Sequence, residues 1–240
     1  MATDAQERTD SCTFAVTVVL PPPPIPRISA TTFVAFGDSI SEGLDVLNQP
    51  RFIPNPPGSY PATLQTLLSA RYTTQSISVL DEGIGGEAVA DGSRRLPGVL
   101  TRDRPDALLL LEGVNDLNAF GVTTIPNVES NLRTMVRDAR GRGITVFLAT
   151  LTPQRAGGSR AFSVDLVEPT NARIRALAPA EGAVLVDLYR DFNGELSLLI
   201  GADGLHPTVA GYQRIAESFF AAIRQRLEVA QAQLTFNAHR

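Results

Sequence analysis

The 240-residue chain is 43% apolar and 19% charged, the balance of a globular protein with a sizeable core. A net charge of −4, spread without blocks, gives no electrostatic footprint for nucleic acid, and all 21 basic side chains are arginine. The absence of lysine excludes Schiff-base chemistry, a Ser-Lys dyad and a phosphate-loop lysine, while one cysteine, Cys12, and two histidines, His206 and His239, give little support to a zinc cluster or a Cys-His nucleophile.

Taken from the start, "SCTFAVTVVLPPPPIPR" reads as one β-strand followed by a stiff polyproline spacer. A lone strand needs a partner sheet, so it either docks on the main domain or belongs to a module upstream. Its apolar run is too short to span a bilayer, and acidic residues precede it where an export signal carries positive charge. The segment resembles the closing strand of an immunoglobulin-like repeat from bacterial extracellular proteins, in which Cys12 would bridge to an earlier strand. That resemblance divides the chain into a segment 1–30 and a main domain 31–240, and implies an extracellular or periplasmic setting within a longer secreted protein. A disordered extension with an unpaired thiol is the other reading.

From residue 31 onward, apolar runs at 32–36, 75–80, 106–111, 144–150 and 183–187 alternate with helical patterns. Continuous runs such as "DALLLLEG" and "GITVFLAT" predict strands covered on both faces, as in parallel sheets. Between and after them, Val128, Leu132, Met135, Val136 and Ala139 keep helical spacing, as do Tyr212, Ile215, Phe219, Ile223 and Leu227. The repeated β-α order predicts an α/β fold: a three-layer, doubly wound, flavodoxin-like, mostly parallel five-stranded sheet with helices on both faces. Loops leaving the carboxyl ends of such strands converge on one edge, where ligands bind.

Four segments fall at those ends or in the final loop: Gly37-Asp38-Ser39, "DEGIGG" (81–86), "EGVND" (112–116) and "DGLHP" (203–207). Singly, each has an ordinary explanation. Ser39 can cap a helix, Gly83, Gly85 and Gly86 can serve turns, Asn115-Asp116 is common turn chemistry, and Thr208 can cap the last helix. Together they supply the parts of acyl transfer: a hydroxyl nucleophile, a base, a carboxylate to orient the base, and donors for an oxyanion. His206 is the only histidine outside the last two residues, and Asp203 precedes it by three positions, close enough for one turn to bring the two together.

These four blocks, in their order and spacing, resemble the SGNH hydrolases, the GDSL esterase and lipase family, over residues 32 to about 228. The resemblance implies that Ser39 is the nucleophile, with Asp203 and His206 completing a catalytic triad. It implies an oxyanion hole made by the backbone N–H of Ser39, the backbone N–H of Gly86 and the side-chain amide of Asn115. One departure stands out: Asp81 occupies a position where the family usually has asparagine, so the turn carrying Gly86 is expected to be held differently. The chain lacks a G-x-S-x-G elbow, which argues against the ordinary α/β-hydrolase arrangement.

The implied activity is cofactor-independent, metal-free hydrolysis of a small-molecule or carbohydrate carboxylic ester, without a nucleic-acid partner or an integral membrane segment. Short inserts between the blocks and the lack of an amphipathic lid pattern favour short acyl chains, acetyl in particular. Ile40, Leu117, Phe120 and Leu205 flank the candidate residues and are candidates to line an acyl site. Three alternatives stay open: a lysophospholipase or thioesterase, a flavodoxin-like binder in which Ser39, Ser41 and Gly43 cradle a phosphate, and a non-catalytic carbohydrate-binding relative.

Overall fold

The computed structural model describes residues 25–44 and 57–229. Its strands are β1 (Arg27–Ile28), β2 (Thr32–Gly37), β3 (Ser78–Gly83), β4 (Ala107–Leu111), β5 (Thr145–Ala149), β6 (Val184–Val186) and β7 (Glu228–Val229). Its helices are α1 (Ser39–Glu42), α2 (Tyr60–Arg71), α3 (Val89–Asp103), α4 (Val114–Phe120), α5 (Ile125–Gly141), α6 (Val164–Ala180), α7 (Leu188–Asp191), α8 (Leu196–Leu199) and α9 (Val209–Leu227), with a 3-10 turn at Gly121–Thr124. The predicted strand after Cys12 lies outside the described residues, as does His239.

Five strands form one parallel sheet in the order β3-β2-β4-β5-β6. The central strands are buried on both sides, which is why β4 can be an unbroken run of alanine and leucine. Right-handed crossovers place a helix on one face when the chain moves outward to β3 and on the other when it moves back to β4. Accordingly α2 packs with α9, whereas α3 packs with α5 and α5 with α6. The predicted apolar faces of α5 and α9 are all buried.

The strand expected at 75–80 is displaced to Ser78–Gly83. Its polar end, Asp81-Glu82-Gly83, gives no apolar signal, but it pairs in register with Ala35, Phe36 and Gly37 of β2. A second, two-stranded antiparallel sheet joins β1 to β7, and Ile28 and Ala30 are buried with the core. Residues 27–30, placed with the N-terminal segment by the sequence, thus pack on the main body.

The chain leaves β2 toward β3 on one side and returns to β4 on the other. The carboxyl ends of β2 and β4 therefore border the crevice at which such sheets bind ligands.

Candidate active site

Ser39 follows the carboxyl end of β2 and opens the one-turn helix α1, whose N-cap is Asp38. As the first helical residue it has no intrahelical acceptor for its N–H. Its Oγ lies 2.9 Å from Nε2 of His206. The other ring nitrogen, Nδ1, lies 2.5 Å from Oδ2 of Asp203. The second carboxylate oxygen accepts the N–H groups of Leu205 at 3.0 Å and His206 at 3.1 Å. A tight turn thereby fixes imidazole and carboxylate together, and the Thr208 side chain caps α9 just beyond, as its position predicts. Burial opposes the charge of Asp203, but the hydrogen bonds from His206 and from the two backbone N–H groups hold its carboxyl below the ordinary range. An ionised carboxylate on Nδ1 requires the proton there, which leaves Nε2 free to accept from Ser39. The serine is 5% exposed and the histidine 1%, so the pair works largely out of water.

Two further segments reach the same edge. Gly86 adopts φ 77°, a conformation that favours glycine, and its N–H has no hydrogen-bond acceptor among the described residues. Asn115, at the start of α4 beyond β4, donates one amide hydrogen to the carbonyl of Glu87 at 3.0 Å. Its second amide hydrogen remains for a ligand, and Gly86 and Asn115 line the same groove. A second tie joins the segments, because Asp116 accepts the N–H of Val89 at 2.8 Å. The Glu87 carboxylate is in turn gripped by Arg95, which also reaches the Glu82 carbonyl and lies 4.0 Å from the centre of the Phe36 ring. The sequence reading passed over Glu87 and Arg95. Their signal was a buried-side acidic residue beside a glycine turn and an arginine eight residues on, too weak without the fold. At Asp81, Oδ1 accepts the N–H of Gly83, so the aspartate holds its turn as an acceptor.

Behind the serine lies a concentration of carboxyls. Burial pushes Asp38 up to about 6, against the hydrogen bond from the Ile40 N–H and the nearby His206. Burial also raises Glu112 well above its ordinary value, with Asp38 and Glu87 adding repulsion, and both of its carboxyl oxygens lack a hydrogen-bond partner among the described residues.

A groove of about 400 Å³ opens at this edge, lined by Gly86, Ala88, Asn115, Ala119 and Leu205, with Phe120, Phe162 and Arg160 among its outer residues. Of the four side chains expected to line an acyl site, Phe120 and Leu205 stand at this groove. Ile40 and Leu117 are instead buried in the core, each 1% exposed, because the turns carrying them bend inward against the sheet. The phosphate-cradle alternative also loses a ligand, since Ser41 is fully buried with its hydroxyl 3.1 Å from that of Tyr60.

A hydroxyl, an imidazole and a carboxylate in hydrogen-bonded sequence at the switch point of a flavodoxin-like sheet define the class of serine ester hydrolases. Residues 35–214 match the model of the GDSL-like Lipase/Acylhydrolase family, and the chain belongs to that family. It is 25% identical to esterase TesA of Pseudomonas aeruginosa over 84% of this chain and 92% of the relative. It is likewise 25% identical to an acetylxylan esterase of Geobacillus stearothermophilus over 68% of this chain and 80% of that protein. In fold it resembles the crystal structure of a lipase/acylhydrolase from Enterococcus faecalis, with a TM-score of 0.71 and 22% identity over 84% of this chain and 100% of the other. The protein is an SGNH/GDSL-type serine carboxylic ester hydrolase. No described helix is long and apolar enough to cross a membrane.

Proposed function

We propose that the protein hydrolyses short-chain acyl esters, acetyl esters of water-soluble substrates in particular, through an acyl-enzyme on Ser39. The observation that carries this reading is the buried sequence of contacts from the Ser39 hydroxyl through His206 to Asp203. Ser39 Oγ attacks the ester carbonyl carbon while its proton passes to His206 Nε2. The oxyanion is met by the N–H of Ser39, the N–H of Gly86 and the remaining amide hydrogen of Asn115. Collapse breaks the bond to the alcohol oxygen, which takes the proton from His206. Water then attacks the acyl-enzyme, again giving its proton to His206, and the acid leaves as the proton returns to Ser39. The chain's own groups carry each step.

The preference for short chains rests on the short segments between the four blocks and the lack of an amphipathic lid pattern in the sequence. The carbohydrate setting draws on the acetylxylan esterase among the relatives. A secreted location rests only on the resemblance of the segment around Cys12 to an extracellular module.

Hydrolysis of p-nitrophenyl esters of increasing chain length tests both parts. Acetate and butyrate should exceed palmitate; interfacial activation on emulsified long-chain lipid would overturn the short-chain assignment. Alanine at Ser39 or His206 should each remove most turnover, and the double variant should be scarcely worse, because the two act as a unit. Asp203→Ala should lose less, since it orients the base without reacting. Additive losses at Ser39 and His206 would sink the mechanism.

A further inference from the structure

Arg160 stands apart from most arginines of the described chain. Twelve arginines, among them Arg71, Arg95, Arg133 and Arg175, sit in ion pairs with carboxylates. Among the described residues, the guanidinium of Arg160 has no acceptor or carboxylate, and it is the one charged side chain that lines the groove beside Asn115. A solvated surface arginine would fit that description if its backbone were loose. It is not.

The loop from 150 to 163 is pinned to the site at several points. The N–H of Arg160 donates to the carbonyl of Asp203 at 2.8 Å, and its own carbonyl accepts the Asn118 amide at 3.1 Å. Nearby, Arg155 N–H donates to the Gly204 carbonyl at 2.9 Å, and Gln154, Ser163 and Asn118 form a closed set of side-chain hydrogen bonds. Gly158 lies so close to the histidine loop that a Cβ there would fall 2.3 Å from the carbonyl of Asp203. The Cα of Arg160 is thus fixed between α4 and the loop carrying Asp203 and His206, while its head group is left unspent. Phe120 and Phe162 line the same groove and, at 64% and 69%, are the most exposed large apolar side chains among the described residues.

We infer that Arg160 is a specificity-determining residue that binds a carboxylate on the alcohol portion of the ester, and that the substrate is an acetylated acidic sugar, with the faces of Phe120 and Phe162 against its rings. The inference rests on the esterase reading above and narrows its substrate class. A planar guanidinium matches a carboxylate with two parallel hydrogen bonds. With an acetyl group at Ser39, the part of the substrate that extends along the groove to Arg160 belongs to the alcohol. An open, aromatic-flanked groove suits a sugar ring better than a lipid tail, which needs enclosure.

The test compares acetate release from an acetylated oligogalacturonate with release from the same oligomer after its carboxylates are converted to carboxamides. In the native protein at low ionic strength, kcat/KM should favour the carboxylate form about 10-fold, equivalent to about 1.4 kcal/mol, and salt should narrow the gap. Arg160→Gln should bring the ratio toward one through KM, and Arg160→Lys should keep part of it. Equal rates on the two oligomers in the native protein, or a ratio unmoved by Arg160→Gln in a folded variant, would overturn the inference. So would Arg160-dependent preference for a lysophosphatidylglycerol over the oligomer. Cleavage of p-nitrophenyl acetate with neither oligomer touched would refute the acidic sugar and leave the esterase reading standing. Inertness toward p-nitrophenyl acetate together with failure of Ser39 to react with a fluorophosphonate would refute that reading itself.

Discussion

Replacing Asn115 by alanine separates an oxyanion donor from a turn asparagine, because the two roles move different quantities. The side chain uses one amide hydrogen on the Glu87 carbonyl at 3.0 Å and keeps one for a ligand. Loss of the first leaves a part-buried carbonyl without that donor, at a cost of about 1 kcal/mol in folding stability. If the second meets the oxyanion as proposed, its loss removes one of three donors and costs about 10²- to 10³-fold in kcat, or about 2.7–4 kcal/mol of transition-state stabilisation. KM should hardly change, since the charge that the amide meets develops in the transition state. Steady-state kinetics on a soluble acetyl ester, with thermal unfolding of the same preparation, gives both numbers. Labelling of Ser39 by a fluorophosphonate should persist at a reduced rate. A folded variant whose kcat stays within a few-fold of the parent would refute the assignment and make Asn115 a brace between α4 and the Gly86 segment.

Three other perturbations follow from the same geometry. Asp38, whose folded pKa is raised to about 6, is still protonated when the unfolded chain has ionised near its ordinary value of 3.8, so stability falls as pH rises through that window. Asp38→Asn keeps the acceptor for the Ile40 N–H and removes this loss; urea unfolding should show the variant gaining on the parent by up to about 3 kcal/mol between pH 4 and pH 8, and a pH-independent difference would contradict the burial argument. Gly158→Ala forces a Cβ into the Asp203 backbone and should cost about 1–3 kcal/mol with a fall in kcat/KM; unchanged values in both would show that the loop yields freely. Removing residues 1–26 leaves Arg27 and Ile28 to pair with Val229 and Glu228, so cooperative unfolding and ester hydrolysis should survive, and an unfolded product would place the first segment within the main body.

The order of apolar runs was enough to place β2, β4, β5 and β6 to within a residue and to specify the doubly wound class, because a parallel strand buried on both faces is an almost unbroken apolar run. Composition pointed to Ser39 and His206, with Asp203 three residues before the histidine, in a chain with no lysine and two histidines, whereas Asn115 and Gly86 were singled out by the resemblance of the four blocks to the GDSL family. What local pattern does not encode is which segments the sheet order brings together. Periodicity shows that a side chain is apolar, not whether its turn bends toward the core or the crevice, so Ile40 and Leu117 were indistinguishable from Phe120 and Leu205 until the loops were folded. The end of β3 is polar and became a strand only through its register with β2. The bond from Asn115 to Glu87, the burial of Ser41 against Tyr60 and the pinning of Arg160 beside Asp203 all join residues 19 to 43 positions apart. Such contacts exist because β2 and β4 are neighbours and the final loop returns across them. They are properties of the strand order, and the strand order was decided by how all the layers pack at once.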